Sequence, residues 1–318
     1  ILRELLISSH GDELSIGIIL ANWLILEAIG AFFLGKRAEY FERKLEAFVG
    51  LTIIFSFFFP IAIYLTRIIK DIIGITPGEG LGLIPILCSS FFILLPVSIS
   101  HGALFTFGCK IYSLYSKEES ASSVGRVYIY ETLGTILGGI GLTYLLIPYF
   151  HSMEIAMGVS LLNIFLCVYL LIPTFAGAEI RGSYTSFYAK ASKDGLAGKT
   201  TRTVTAKILT GISVIFLVLI GFLISSRGVD KIHKRSIKSQ WKGQEVVHYQ
   251  NSIYGNVAVT KREEQYTFFS DGIPIITTPV PDTIFMEELV HFSMLSHPRP
   301  EEILVISGGA GGVINEIL

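Results

Sequence analysis

Long apolar runs fill the first 225 residues, and shorter alternating runs take over after them. Six of the long runs, at 14–34, 45–69, 83–111, 124–147, 155–172 and 206–225, are long enough for helices that cross a bilayer, which takes about 20 residues. One such run could be a buried helix of a soluble protein. Six in succession predict a multi-pass helical membrane domain over residues 1–225. Residues 1–8 read as the tail of an earlier crossing. Short turns such as Thr76-Pro77-Gly78 and Pro148-Tyr149 separate the runs. The stretch 178–205 is longer and rich in Gly, Ser and Lys, so it holds either a surface helix or disordered chain. No internal repeat of the inverted-transporter kind is visible.

After a basic linker at 226–243 the hydrophobic period changes to two. Runs at 245–250, 256–261, 266–270 and 273–277 predict four strands, and Asp271-Gly272 between the last two is a strong hairpin signal. This small β-meander forms a domain over 244–281. A helix over 283–296 follows, with Phe285, Leu289, Phe292 and Leu295 spaced for one buried face. His297-Pro298-Arg299-Pro300 ends it, because two prolines cannot continue a helix. An apolar strand at 302–306 then enters Ser307-Gly308-Gly309-Ala310-Gly311-Gly312 and a helix from Val313. Strand, glycine turn and helix in that order bring a ligand against free backbone N–H groups, which predicts a nucleoside or nucleotide pocket.

Charge adds the membrane topology. Only 16% of residues are charged, against about a quarter in a soluble chain. Lys36, Arg37, Arg43 and Lys44 mark one loop as cytoplasmic, as do Lys110, Lys117 and Arg126 for a second and the 178–205 linker for a third. That alternation would place the residues after Ser225 outside. Yet Arg227, Lys231, Lys234, Arg235 and Lys238 follow the last crossing at once, so two signals conflict. Cys88, Cys109 and Cys167 lie in or beside apolar helices without short spacing, the pattern of small packing residues rather than a zinc site or disulfide framework. The chain opens on Ile1 and closes on Leu318 inside an expected helix, so both ends are expected to lie within a longer polypeptide. Glu27, His101 and Glu131 fall inside the membrane runs. Either they face the bundle interior and mark a functional path, or they pair structurally near an interface. Gly134, Gly138, Gly139 and Gly141 predict a close helix contact.

The C-terminal motifs resemble the spermidine synthase family: Ser252-Ile253-Tyr254, Asp271-Gly272, Phe285-Met286-Glu287, His297-Pro298-Arg299-Pro300, and the strand and glycine loop ending at Gly312. Their order follows that family's N-terminal β-domain and the start of its methyltransferase-like domain. Arg126-Val127-Tyr128-Ile129-Tyr130-Glu131 and the glycines after it are similar to membrane-fused members of the same group. The resemblance implies transfer of an aminopropyl or related alkyl group from decarboxylated S-adenosylmethionine, or a related adenosyl nucleoside, to an amine. The nucleoside would be the co-substrate, with no tightly bound cofactor and no metal. The family's catalytic Asp would fall beyond Leu318. The resemblance places Gly255, Met286, Gly308, Gly309, Ala310, Gly311 and Gly312 at the nucleoside and Phe285 at the substrate. Family polar groups are missing at several of these positions: Gly255 replaces a Gln, Phe285 and Met286 replace a Tyr and a His or Gln, and Ala310 replaces the glycine-loop Asp.

The fold expected is therefore a multi-pass α-helical membrane domain followed by an α+β soluble domain, a β-meander plus the start of a Rossmann-like methyltransferase fold over 282–318. The function expected is a membrane-anchored spermidine synthase-like transferase with altered or lost activity. The alternative is a non-catalytic transporter or scaffold with a ligand-binding soluble domain. Expected partners are the lipid bilayer, a nucleoside and an amine, with no nucleic acid, and a homo-oligomer stays open. The expected location is the cell inner membrane, with the soluble domain in the cytoplasm.

Overall fold

The computed structural model describes residues 1–9, 13–38, 40–41, 43–116, 120–175, 196–306 and 311–318. A short helix, α1 (Leu2–Ser9), precedes α2 (Glu13–Ile29), which runs on through a π-helical turn at Gly30–Leu34 into Gly35–Arg37. Then come α3 (Lys44–Ile73), α4 (Leu83–Ser116), α5 (Ser120–Gly141, extended by a π-helical turn at Leu142–Leu146), α6 (Ser152–Phe175) and α7 (Leu196–Ser225). Among the described residues, six helices are long and apolar enough to cross a bilayer, one for each run read from the sequence. Helix α7 begins at Leu196, inside the stretch read as either a surface helix or disordered chain; residues 178–195 of that stretch lie outside the described residues.

The first core lies between α1, α2, α3 and α4, around Leu5, Ile19, Leu26, Ile86, Leu94 and Val97. Here α2 and α4 touch backbone to backbone: a Cβ on Gly30 would collide with the Ile99 carbonyl oxygen, and one on Gly102 with that of Glu27. The close contact expected at Gly134, Gly138, Gly139 and Gly141 is not there. A Cβ on any of the four would meet open space, because no described helix lies against that face of α5. Pro60 shows how the bundle meets its backbone demands. Having no N–H, it leaves the Ser56 carbonyl without its helical donor. The Ser160 hydroxyl of α6 donates to that oxygen at 2.8 Å.

Beyond the bundle, most of the expected basic linker is a helix, α8 (Gly228–Gln240). It buries Val229, Ser236, Ile237 and Gln240 and turns its lysines outward. The meander follows as β1 (Glu245–Asn251), β2 (Asn256–Arg262), β3 (Gln265–Ser270) and β4 (Ile273–Thr278), antiparallel in the order 1-2-3-4. Each strand agrees with its expected span to within about one residue at either end, because period-two alternation and turn residues are local signals. Ile237 and Trp241 of the α8 segment pack on Ala258 and Phe269, the Trp241 and Phe269 rings meeting edge to face at 4.6 Å.

The last part departs from expectation. Helix α9 (Thr283–Leu295) starts where read, capped by Asp282, whose side-chain oxygen accepts from the Phe285 N–H at 3.2 Å. Its expected inner face is exposed, however: Phe285, Leu289, Phe292 and Leu295 face outward, and the buried residues are Met286 and Val290. Residues 302–306 form no strand. A parallel strand holds its shape by pairing, and no described strand lies beside this segment. Helix α10 (Val313–Ile317) closes the chain and is tied to α9 by His291 Nε2 and Glu316 Oε1 at 2.9 Å.

Candidate functional site: the glycine cradle and two polar clusters

Of the residues expected at the nucleoside, Met286, Gly311 and Gly312 come together. A Cβ on Gly311 would touch the Met286 methyl at 3.4 Å and Ile276 at 3.5 Å. One on Gly312 would press to 2.9 Å from the Pro281 ring, and φ at Gly312 is +100°, a conformation that favours glycine. The result is a small apolar cradle at the N-terminus of α10, walled by β4 and α9. Gly308, Gly309 and Ala310 lie outside the described residues. Phe285 is half-exposed and turned away from the buried Met286. Gly255 is not part of the cradle. It sits in the β1–β2 turn, where a Cβ would strike the Asp271 carboxylate, and that carboxylate accepts from the Asn256 N–H at 2.8 Å. A larger side chain there would require the Asp271 carboxylate to shift.

Inside the bundle, two of the three ionisable residues singled out pair directly. His101 Nδ1 lies 2.6 Å from Glu27 Oε1, and the Trp23 indole N–H donates to Glu27 Oε2 at 3.0 Å. The rings of Trp23 and Phe55 flank the imidazole, each with its centroid 6.0 Å away. Glu131 stands on the exposed α5, and no side-chain bond joins it to the pair among the described residues.

A second cluster escaped the sequence reading, and it joins the bundle to α8, on which the sheet packs. Arg67 of α3 is fully buried and holds Glu4 of α1 with two parallel bonds, Nε to Oε2 at 2.8 Å and Nη2 to Oε1 at 2.9 Å. Its Nη1 donates to the Ser236 hydroxyl at 3.0 Å and faces His233 Nδ1 at 2.9 Å, both on α8. Arg67 has only protons to offer, so His233 Nδ1 must be an acceptor and the ring neutral. Burial and the Arg67 charge keep it so, pushing the imidazole down to about 3. The Tyr249 hydroxyl of β1 is buried, and burial pushes the phenol up. Around the knot, Asn251 of β1 donates to Ser152 of α6 at 3.2 Å. The β3–β4 hairpin presses Gly272 (φ +85°) on the Ile7 carbonyl of α1, where a Cβ would clash. The rule that singled out Glu27 applies equally to Arg67, which stands inside the run 45–69.

His151 stacks on His233 with ring centroids 3.8 Å apart and lies with Glu154 and Asp230 in a group with metal-ligating side chains. The hydrogen bonds there describe a helix cap. The His151 N–H donates to Glu154 Oε2 at 3.0 Å, and His151 Nδ1 accepts from the Glu154 N–H at 3.2 Å. That places the ring proton on Nε2, which points at Asp230 Oδ1, 3.4 Å away. A metal on Nε2 would require the proton to move to Nδ1 and would break the cap.

Residues 282–318, which include Met286, Gly311 and Gly312 of the cradle, match the Spermine/spermidine synthase domain. The chain is 24% identical over 196 residues to the polyamine aminopropyltransferase of Oceanobacillus iheyensis, covering 62% of this chain and 33% of that protein. It is 32% identical over 78 residues to that of Bacillus subtilis, covering 24% of this chain and 28% of the relative. To the spermidine synthase of Schizosaccharomyces pombe it is 33% identical over 92 residues, covering 26% and 30%. No solved structure matches. The chain thus spans about a third or less of the length of these relatives. In its C-terminal part it is spermidine synthase-like, joined to a bundle of six long apolar helices.

Proposed function

We propose that this protein is a membrane-anchored, spermidine synthase-like transferase that binds an S-adenosyl-type nucleoside. The observation that carries the reading is the domain match over 282–318, which ends in the cradle of Gly311 and Gly312 against Met286. The co-substrate is decarboxylated S-adenosylmethionine or a relative of it, and the soluble part stands on the cytoplasmic face, where such substrates are made. The transfer differs from that of the named relatives. A glycine-loop carboxylate would accept hydrogen bonds from the donor's terminal ammonium, and Ala310 offers a methyl group. A hydrogen bond to a charged group contributes on the order of 1.5–3 kcal/mol, so the standard donor binds roughly ten- to a hundredfold more weakly. Phe285 and Met286 extend the apolar lining and favour a ligand of lower charge.

The test is aminopropyl transfer to putrescine by the full protein, alongside calorimetric titration with methylthioadenosine. Methylthioadenosine is expected to bind, spermidine formation to be slow, and Ala310→Asp to raise affinity for the standard donor. Absence of heat with every adenosyl ligand would overturn nucleoside binding. Rapid spermidine synthesis by the unmodified protein would overturn the altered specificity. The second reading, a transporter or scaffold without catalysis, is favoured by one observation, the pairing of Glu27 with His101 inside the bundle. Transport of an amine by protein reconstituted in vesicles, with no transfer activity, would establish it instead.

A further inference from the structure

Helix α8 and the end of α3 enclose an open cleft of about 480 Å³ beside the knot. Its α3 wall is Tyr64, Ile68 and Ile72, whose apolar faces continue the outer surface of a bundle helix. Its α8 wall carries Arg235 and Lys238, both exposed. Between the walls, Asp71 accepts from Ser239 at 2.8 Å and pairs with Lys242, so the one carboxylate lining the cleft is already neutralised. Neither Arg235 nor Lys238 has an ion-pair partner among the described residues. The cleft therefore offers two uncompensated cations directly above a hydrocarbon-like surface.

We propose that this cleft holds the headgroup of an anionic phospholipid, with the phosphate between Arg235 and Lys238 and an acyl chain along Ile68 and Ile72. The inference rests on the reading that the six long helices lie in a bilayer. Helix α8 then starts three residues after the last crossing, which puts its exposed Arg235 and Lys238 within reach of lipid phosphates. Charge complementarity selects the occupant: an apolar floor with a cationic rim matches an anionic amphiphile, while a zwitterionic headgroup would bring its own cation against Arg235. On this assignment the basic run after Ser225 is a lipid contact built on a folded helix.

The test uses the full protein purified in a neutral detergent. A need for detergent throughout purification checks the bilayer reading by itself, so its failure is distinguishable from failure of the cleft. Binding of fluorescent phosphatidylglycerol is then compared with that of phosphatidylcholine. Phosphatidylglycerol is expected to bind more tightly, and R235Q/K238Q to weaken it about thirtyfold and abolish the preference, each cation being worth roughly fivefold near an anionic surface. K36Q/R37Q, at the opposite end of α2, is expected to leave it unchanged. The thermal midpoint of each variant in phosphatidylcholine reports whether it is folded, and R235Q and K238Q made singly, each expected to give a partial loss, serve if the double variant is not. Undiminished preference in folded variants would overturn the proposal. So would glycerol phosphate competing as well as the intact lipid, which would make this a site for a free phosphate.

Discussion

Two pairs of acid and base are held inside this molecule, and they are built differently. At the junction, Glu4 and Arg67 are 1% and 0% exposed, their two bonds are parallel, and Arg67 spends a further N–H group on α8. Inside the bundle, Glu27 and His101 are 27% and 38% exposed and share one short bond. A saturated, dry ion pair has one arrangement and breaks at high cost. A half-open pair can exchange protons and partners without unfolding anything. The junction cluster is therefore a lock between bundle and sheet, and the bundle pair is the looser of the two.

The largest effect is expected at the lock. Arg67→Met strands the Glu4 charge in a buried site and should cost about 3–5 kcal/mol, seen as a lowered thermal midpoint and as new protease cleavage between α7 and β1. Combining it with Glu4→Leu should recover most of the loss, since an apolar pair needs no partner; failure to recover would show that the contacts to His233 and Ser236 dominate. Next comes Gly102→Val. Its side chain would meet the Glu27 carbonyl, push α2 from α4 and cost about 1–3 kcal/mol, while separating His101 from Glu27.

Glu27→Leu should be mild for stability, on the order of 0.6 and at most about 1.7 kcal/mol, the range for hydrogen bonds between helices in membranes. If the pair serves a path, that variant and Glu131→Leu should lose function in a transport or complementation assay while folding normally. Wild-type behaviour of both would reduce the pair to a packing element. The smallest effect at neutral pH belongs to His233. Its ordinary value is about 6.5 and its docked value about 3, so between these limits the undocked state takes up a proton that the docked state refuses. Docking is complete above about pH 6.5 and is lost as pH falls from there toward 3. Proteolysis of the α7–β1 segment should rise over that window, and His233→Gln should flatten the response.

The contrast also shows which features the sequence made legible. The six helices, the four strands and the Asp271-Gly272 hairpin could be read because each rests on local period, length or turn chemistry. Glu27 and His101 could be nominated, 74 positions apart, because a charge in an apolar run is conspicuous, though nothing in either run named the other as partner. The inner face of α9 was misjudged because four apolar residues at helical spacing state only that a face wants cover. What covers it is a tertiary fact, and here Met286 and Val290 take the inside positions. Gly255 was assigned to a ligand by resemblance, and its contact with the Asp271 carboxylate, 16 positions on, could not be read from the sequence.

The sequence by itself determined where helices and strands lie, where apolar gives way to alternating, and that the end of the chain is spermidine synthase-like. These depend on neighbours within a few residues, or on a motif copied whole. Only the tertiary structure decided that α8 is a clamp rather than a linker, that Gly30 and Gly102 rather than the glycines of α5 carry the close contact, and that Arg67 answers to Glu4, His233 and Ser236. Such pairings join residues 63 to 169 positions apart, and their strength comes from excluding water, a property that no single segment of the chain possesses.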